Sequence, residues 1–164
     1  MNGLLIGRFQ PFHLGHLDAV LFGLSRTENL FIGIGSSNKS NERRNPFSAE
    51  ERREMIISSI EPSMADRLKI FDIPDVGDHE KWTFEIDKIV PKYDIVFTND
   101  EFTKTLFGKR GIDIITVTLK ERERFSGTNI RQLITDDKNW RDFVPKGTQS
   151  VLEKINANQR LKNL

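Results

Sequence analysis

Two of the chain's three histidines fall within one ten-residue stretch, Gly7 to His16 (GRFQPFHLGH), between an apolar triplet and a helical pattern. His13 and His16 are spaced i, i+3, which on the first turn of a helix turns both the same way. Arg8 lies close by, and a helix N-terminus adds unpaired N–H groups and a positive dipole end, so the parts favour an anion. The chemistry they suggest is phosphate binding. Zinc is the alternative for an HxxH pair, but a catalytic zinc normally takes a third protein ligand. The chain has neither an HExxH nor a cysteine to supply one. Two surface histidines beside a turn are the plainer alternative, and Gly7, Pro11, Gly15 and Arg8, gathered at a strand-to-helix junction, weigh against it.

A second constellation, Ser126 to Arg131 (SGTNIR), stands about 110 residues later. Ser126, Gly127 and Thr128 offer hydroxyls and N–H groups at another helix start, and Arg131 brings a rigid fork of donors suited to phosphate oxygens. Taken alone, this stretch reads more readily as an ordinary capped helix, and its value comes from pairing with the first motif. Between the two lies Ser36 to Pro46 (SSNKSNERRNP), a polar loop holding Lys39, Arg43 and Arg44. It is either a solvated loop or part of a ligand site.

Elements must bring these stretches together. Leu4–Ile6, Leu30–Ile34, Leu68–Ile73, Asp94–Thr98 and Ile112–Val117 read as strands. Leu14–Leu24, Ser48–Ile60, Lys81–Val90 and a segment ending near Gly108 read as helices between them. Ser48 with Glu51 three residues on is a capping-box pattern. Alternation of this kind predicts an α/β fold, a Rossmann-like doubly wound parallel sheet of about five strands with a helical C-terminal segment. In such sheets ligands bind beyond the carboxyl ends of the strands, where the polar loop after the second strand would lie. Lys120 to Arg124 reads as a charged connection, and the tail Gln159 to Leu164 is expected to fray.

Composition bounds the rest. At 164 residues the chain, 1–164, reads as one domain with a single sizeable core. The 25 Lys and Arg against 24 Asp and Glu leave a net charge of +1, which gives no global basic field for nucleic acid or an anionic membrane. Zero cysteines exclude disulfides, Cys-ligated zinc and thiol nucleophiles, and they agree with a reducing compartment. No apolar run approaches the ~20 residues of a membrane span. The expectation is a soluble, cytoplasmic protein.

GRFQPFHLGH with SGTNIR resembles the HxGH and (S/T)-x-T-x-x-R signatures of the nucleotidylyltransferase superfamily. IGIGSSNKS, RNPFSAEER, the tryptophan of EKW, VFTND and WRDFVPKGTQSV extend the likeness to the archaeal-type nicotinamide mononucleotide (NMN) adenylyltransferases over nearly the whole chain. The resemblance implies that His13 and His16 contact the phosphates of ATP. Gly7, Arg8, Phe9 and Gly15 would share that ATP-binding turn. Arg44 would be the loop arginine that reaches the triphosphate, with Arg43 one register away. Ser126, Gly127, Thr128 and Arg131 would complete the ATP site, with His13, His16 and Arg131 as the catalytic set. Trp82 would stack on the nicotinamide ring of NMN, its alternative being a place in the core. Gln132 is a departure, since relatives often have a second arginine there. His79 has no motif support and reads as a surface residue, while Asp75 and Asp78 could touch polar groups of a substrate.

The reaction so implied joins ATP and NMN into NAD and pyrophosphate. The second pKa of a phosphate monoester lies near ~6, so the attacking phosphate is already ionised at neutral pH and needs no general base. Mg²⁺ would arrive with ATP, held by phosphate oxygens and water, with no metal ligand from the protein. The other partners expected are small nucleotides, in a homo-oligomer. Competing readings are another adenylyltransferase on the same fold, such as phosphopantetheine adenylyltransferase, and a non-catalytic nucleotide-sensing module. A nucleic-acid domain built on Lys39, Arg43 and Arg44 is opposed by the near-zero charge.

Overall fold

The computed structural model describes residues 1–117 and 125–164. Five strands, β1 (Asn2–Gly7), β2 (Asn29–Ile34), β3 (Leu68–Asp72), β4 (Ile95–Thr98) and β5 (Asp113–Thr116), form one sheet in the order β3-β2-β1-β4-β5. All neighbours are parallel, with Leu4 opposite Phe31 of β2 and Val96 of β4. The chain winds outward from β1 to β3 and then crosses back to β4. The order therefore reverses between β1 and β4, and a crevice opens there beyond the strand ends.

Period-two alternation assigns each strand residue to a face. Leu5, Leu30, Ile32, Ile34, Ile95 and Phe97 point into one apolar core, and Leu4, Phe31 and Val96 into another. Helix α1 (Leu14–Arg26) and α2 (Ala49–Ser59) cover the first face. They do so together with α6 (Gly127–Thr135), α7 (Lys146–Lys154) and α8 (Ala157–Lys162). Helices α4 (His79–Ile89) and α5 (Glu101–Gly108) cover the second through Ile86, Val90 and Phe107. The doubly wound reading holds, with strand bounds displaced by a residue or two. The one-turn α3 (Pro62–Ala65) was not anticipated. No helix among the described residues is long and apolar enough to cross a membrane.

The expected capping box is present: Ser48 Oγ accepts from the Glu51 N–H at 3.1 Å and Glu51 Oε1 accepts from the Ser48 N–H at 2.8 Å. Gly147 lets α7 lie directly on the end of α2, since a Cβ there would come within 2.4 Å of the Ser58 carbonyl carbon. The expected fraying of the tail is overturned. Arg160 pairs in bidentate fashion with Glu51 at 2.7 and 2.8 Å and donates to the Pro46 carbonyl, Lys162 pairs with Asp137, and Leu161 is buried. The end of the chain thus braces the polar loop, a long-range contact that no local pattern encodes. The expected connection Lys120–Arg124 lies outside the described residues.

Candidate active site

Strand β1 ends at Gly7, and the next six residues turn tightly before α1 begins. Phe9 adopts a left-handed backbone (φ 54°), rare for a bulky residue, and its ring is 2% exposed. His13 does not sit on the first helical turn as expected. It is the extended N-cap of α1, and it forms a capping box in which the two histidines occupy the usual Ser and Glu roles. The His16 N–H donates to His13 Nδ1 and the His13 N–H to His16 Nδ1, both at 3.2 Å. The rings stack with centroids 3.5 Å apart, and Phe12 lies parallel to the far side of His16 at 5.8 Å.

This packing determines protonation. Burial pushes the His13 pKa down to about 3, and burial together with His13 holds His16 well below its usual value. Both rings are neutral at pH 7, and because each Nδ1 accepts, each proton sits on Nε2. The pair therefore offers two Nε2–H donors of fixed tautomer rather than two cations.

The N-terminus of α6 meets the same turn. A Cβ on Gly127 would lie 3.0 Å from the Gln10 carbonyl oxygen, and Arg131 Nη1 donates to that oxygen at 2.7 Å. Stretches about 110 residues apart in sequence are thus in contact. Ser126 caps α6 by accepting from the Asn129 N–H, and Thr128 Oγ1 accepts from Arg131 Nη2 at 3.4 Å. The Arg131 pKa is lowered to about 10, first by burial and then by the charges of Arg8 and Arg44. Among the described residues, none of these three arginines pairs with a carboxylate. Three uncompensated cations converging on one place form a receptor for a polyanion. Of the two candidate loop arginines, Arg44 contributes to that field, whereas Arg43 donates to the Leu164 carbonyl at 3.2 Å. Arg43 also lines a groove of about 450 Å³ with Thr128, Arg131 and Gln132. Gln132, the departure noted above, donates to Asp136 there.

On the other side of Arg8 a cleft of about 640 Å³ opens at the reversal of strand order. Gly7, Arg8, Ser36, Lys39, Asp75, His79, Trp82, Asn99 and Phe102 are among the residues that line it. Trp82 packs edge-on against Phe107 at 6.2 Å and also lines the cleft. His79 is exposed, as expected, yet its ring packs on Phe102 at the rim. Asp75 lines the cleft and pairs with Lys39 at 3.4 Å, while Asp78 serves as the N-cap of α4. Arg8 is shared by the cleft and the arginine cluster.

Two residues of the turn-to-loop junction escaped sequence reasoning. Gln10, 3% exposed, exchanges two hydrogen bonds with the main chain of Phe47, at 3.0 and 3.1 Å. Arg52 is fully buried and bonds carbonyls of three segments. The only sequence signal was position: Gln10 lies inside GRFQPFH, and Arg52 ends RNPFSAEER. Among the described residues no group of three His, Cys, Asp or Glu could hold a metal ion.

With this geometry in hand, the matching family model is the cytidylyltransferase-like one, over residues 4–133. The chain belongs to the cytidylyltransferase-like family. It is 37% identical, over its full length and 89% of the relative, to a nicotinamide-nucleotide adenylyltransferase of Thermococcus sibiricus. It is 33% identical to the protein of that name from Picrophilus torridus, over 100% and 97% of the two chains. Among solved structures it resembles a bifunctional NMN adenylyltransferase/ADP ribose pyrophosphatase from Francisella tularensis, with a TM-score of 0.84 and 26% identity. The match covers 99% of this chain and 52% of that one, so the chain spans about half the length of the bifunctional protein. The resemblance read from the two motifs is borne out by these relatives.

Proposed function

We propose that this cytidylyltransferase-like chain transfers the adenylyl group of ATP to NMN, forming NAD and pyrophosphate by direct in-line displacement. The observation that carries the reading is the contact between the histidine turn and the start of α6, which concentrates Arg8, Arg44 and Arg131 beside a cleft lined by Trp82. ATP lies with its phosphates among the arginines and the two Nε2–H donors. The NMN ring stacks on Trp82, with its phosphate directed toward Arg8. An oxygen of that phosphate attacks the α-phosphorus, the bond from the α-phosphorus to the bridging oxygen breaks, and pyrophosphate leaves with the electron pair. The protein's contribution is positioning and electrostatics, because two anions that repel each other must be held in line.

Neutral histidines suit this task. They donate hydrogen bonds to phosphate oxygens without exchanging protons, while the arginines supply the charge. Mg²⁺ enters as part of the MgATP substrate, held by phosphate oxygens and water. The resemblance also carries a homo-oligomeric state, which sedimentation would measure.

The test is purified protein with MgATP and a panel of acceptors: NMN, nicotinic acid mononucleotide and phosphopantetheine. Pyrophosphate release with NAD formation supports the reading. Release only with phosphopantetheine would move the protein to another adenylyltransferase class, and binding without release would make it a sensor.

A further inference from the structure

We infer that Arg52 is a positioning residue for the site, shaping the two turns from which Arg8 and the Arg44 loop meet the triphosphate and Arg8, Ser36 and Lys39 line the adjoining cleft. This rests on the reading above that the arginine cluster takes ATP. An arginine has five N–H donors in a planar fork, and Arg52 directs all of them at main-chain carbonyls. Nε donates to Ser48 at 3.1 Å, Nη1 to Arg8 at 2.9 Å and Gly35 at 2.7 Å, and Nη2 to Ser36 at 3.1 Å and Lys39 at 3.4 Å. The side chain is completely buried, and burial lowers its pKa to about 10, so it remains charged at neutral pH. A buried cation that spends its whole donor set on carbonyls is a costly way to hold a helix to a sheet. Its partners define what it holds: the end of β1, the turn after β2 and the start of α2.

The backbone at these contacts is unusual in a way that fits the role. Phe9 and Ser36 have left-handed φ values of 54° and 48°, which L residues rarely adopt. Phe9 begins the peptide whose carbonyl, that of Arg8, Arg52 grips, and Ser36 is gripped directly. Carbonyl and N–H are antiparallel across a trans peptide. Drawing the carbonyls of Arg8 and Gly35 inward therefore turns the N–H groups of Phe9 and Ser36 the opposite way. Arg8 itself then extends to Asn45 at 3.4 Å, on the same loop as Arg44.

Equilibrium binding to the full-length protein, by calorimetry, tests this without turnover. Arg52→Lys keeps the charge but has three donors and no fork. The Kd for MgATP should rise about 10- to 100-fold, the range set by losing charged hydrogen bonds, and that for NMN should rise as well, because Arg8, Gly35, Ser36 and Lys39 also line the Trp82 cleft. Arg52→Ala should recover MgATP affinity when guanidinium ion is added at about 20 mM, far below denaturing concentrations, and not with sodium at equal ionic strength. A Lys variant that binds MgATP as tightly as the unaltered protein would overturn the proposal. So would a guanidinium effect matched by sodium, or failure of both variants to fold with guanidinium present, each of which makes Arg52 a general structural residue. Unaltered protein that binds no MgATP would instead remove the functional reading on which this rests.

Discussion

His13 and His16 show how far residue types and spacing carry an argument and where packing takes over. An i, i+3 pair beside Arg8 at a helix start is enough to suggest phosphate chemistry from the sequence, because that expectation rests on residue type and local position alone. Their stacked, mutually capping arrangement was not legible, because it depends on His13 standing outside the helix and on Phe9 and Phe12 enclosing the rings. His16→Ala should lower kcat by about 100- to 1000-fold through loss of a transition-state donor, and should cost only about 1 kcal/mol in stability through loss of the cap. Steady-state kinetics beside urea unfolding measures both, and near-normal turnover would remove His16 from the chemistry. Burial of neutral histidines also sets a pH dependence. Unfolded histidines take up protons below pH 6.5, whereas folded His13 does so only near 3. The unfolded state thus binds more protons as pH falls from 6.5 toward 3, and stability declines across that window by up to ~1.4 kcal/mol per pH unit for each histidine. Glu51 acts in the same sense: burial raises its pKa, but Arg160 and Ser48 hold it below the ordinary value, so its stabilisation too is lost in acid. Urea midpoints at pH 7.5, 6 and 5 should fall steadily, and a flat series would mean that the rings are accessible and charged.

The elements were the most legible level, because strand runs and helical periods are local. Five strands, the capping box of α2 and the polar loop after β2 could all be placed from the sequence. What could not be read was how elements distant in sequence fasten the site. Gln10 to Phe47, Arg160 to Glu51 and Gly147 against Ser58 each join residues whose proximity exists only in the fold. Helix α4 is the clearest case for function. It delivers Trp82 to the cleft and is anchored by Arg110, which donates to the Thr83 carbonyl at 3.0 Å and pairs with Asp87. Trp82→Ala should weaken NMN binding by about 5- to 150-fold, the equivalent of ~1 to 3 kcal/mol for a stacked ring, with MgATP affinity nearly unchanged. Calorimetric titration with each ligand separates the two, and equal losses would mean that packing on Phe107 is the main role of Trp82.

At the scale of the molecule, a net charge of +1 conceals a strongly polar division of labour. Most charges lie dispersed over the surface, while Arg8, Arg44 and Arg131 gather at one place with no carboxylate partner among the described residues. Composition sums over the chain and could exclude a general polyanion binder, but only the fold reveals a local one. The doubly wound sheet places that cluster at the reversal of strand order, next to the cleft of Trp82. The proposed transfer needs no covalent relay, since the acceptor phosphate is charged at pH 7 and the chain has no cysteine nucleophile. The most direct measurement is a single-turnover reaction of the protein with Mg²⁺, NMN and ATP labelled at the α-phosphate. Label should pass into NAD with one pyrophosphate released for each NAD formed, and none should be found on the protein at any time. Absence of labelled NAD, or label held stably on His13 or His16, would contradict direct adenylyl transfer to NMN.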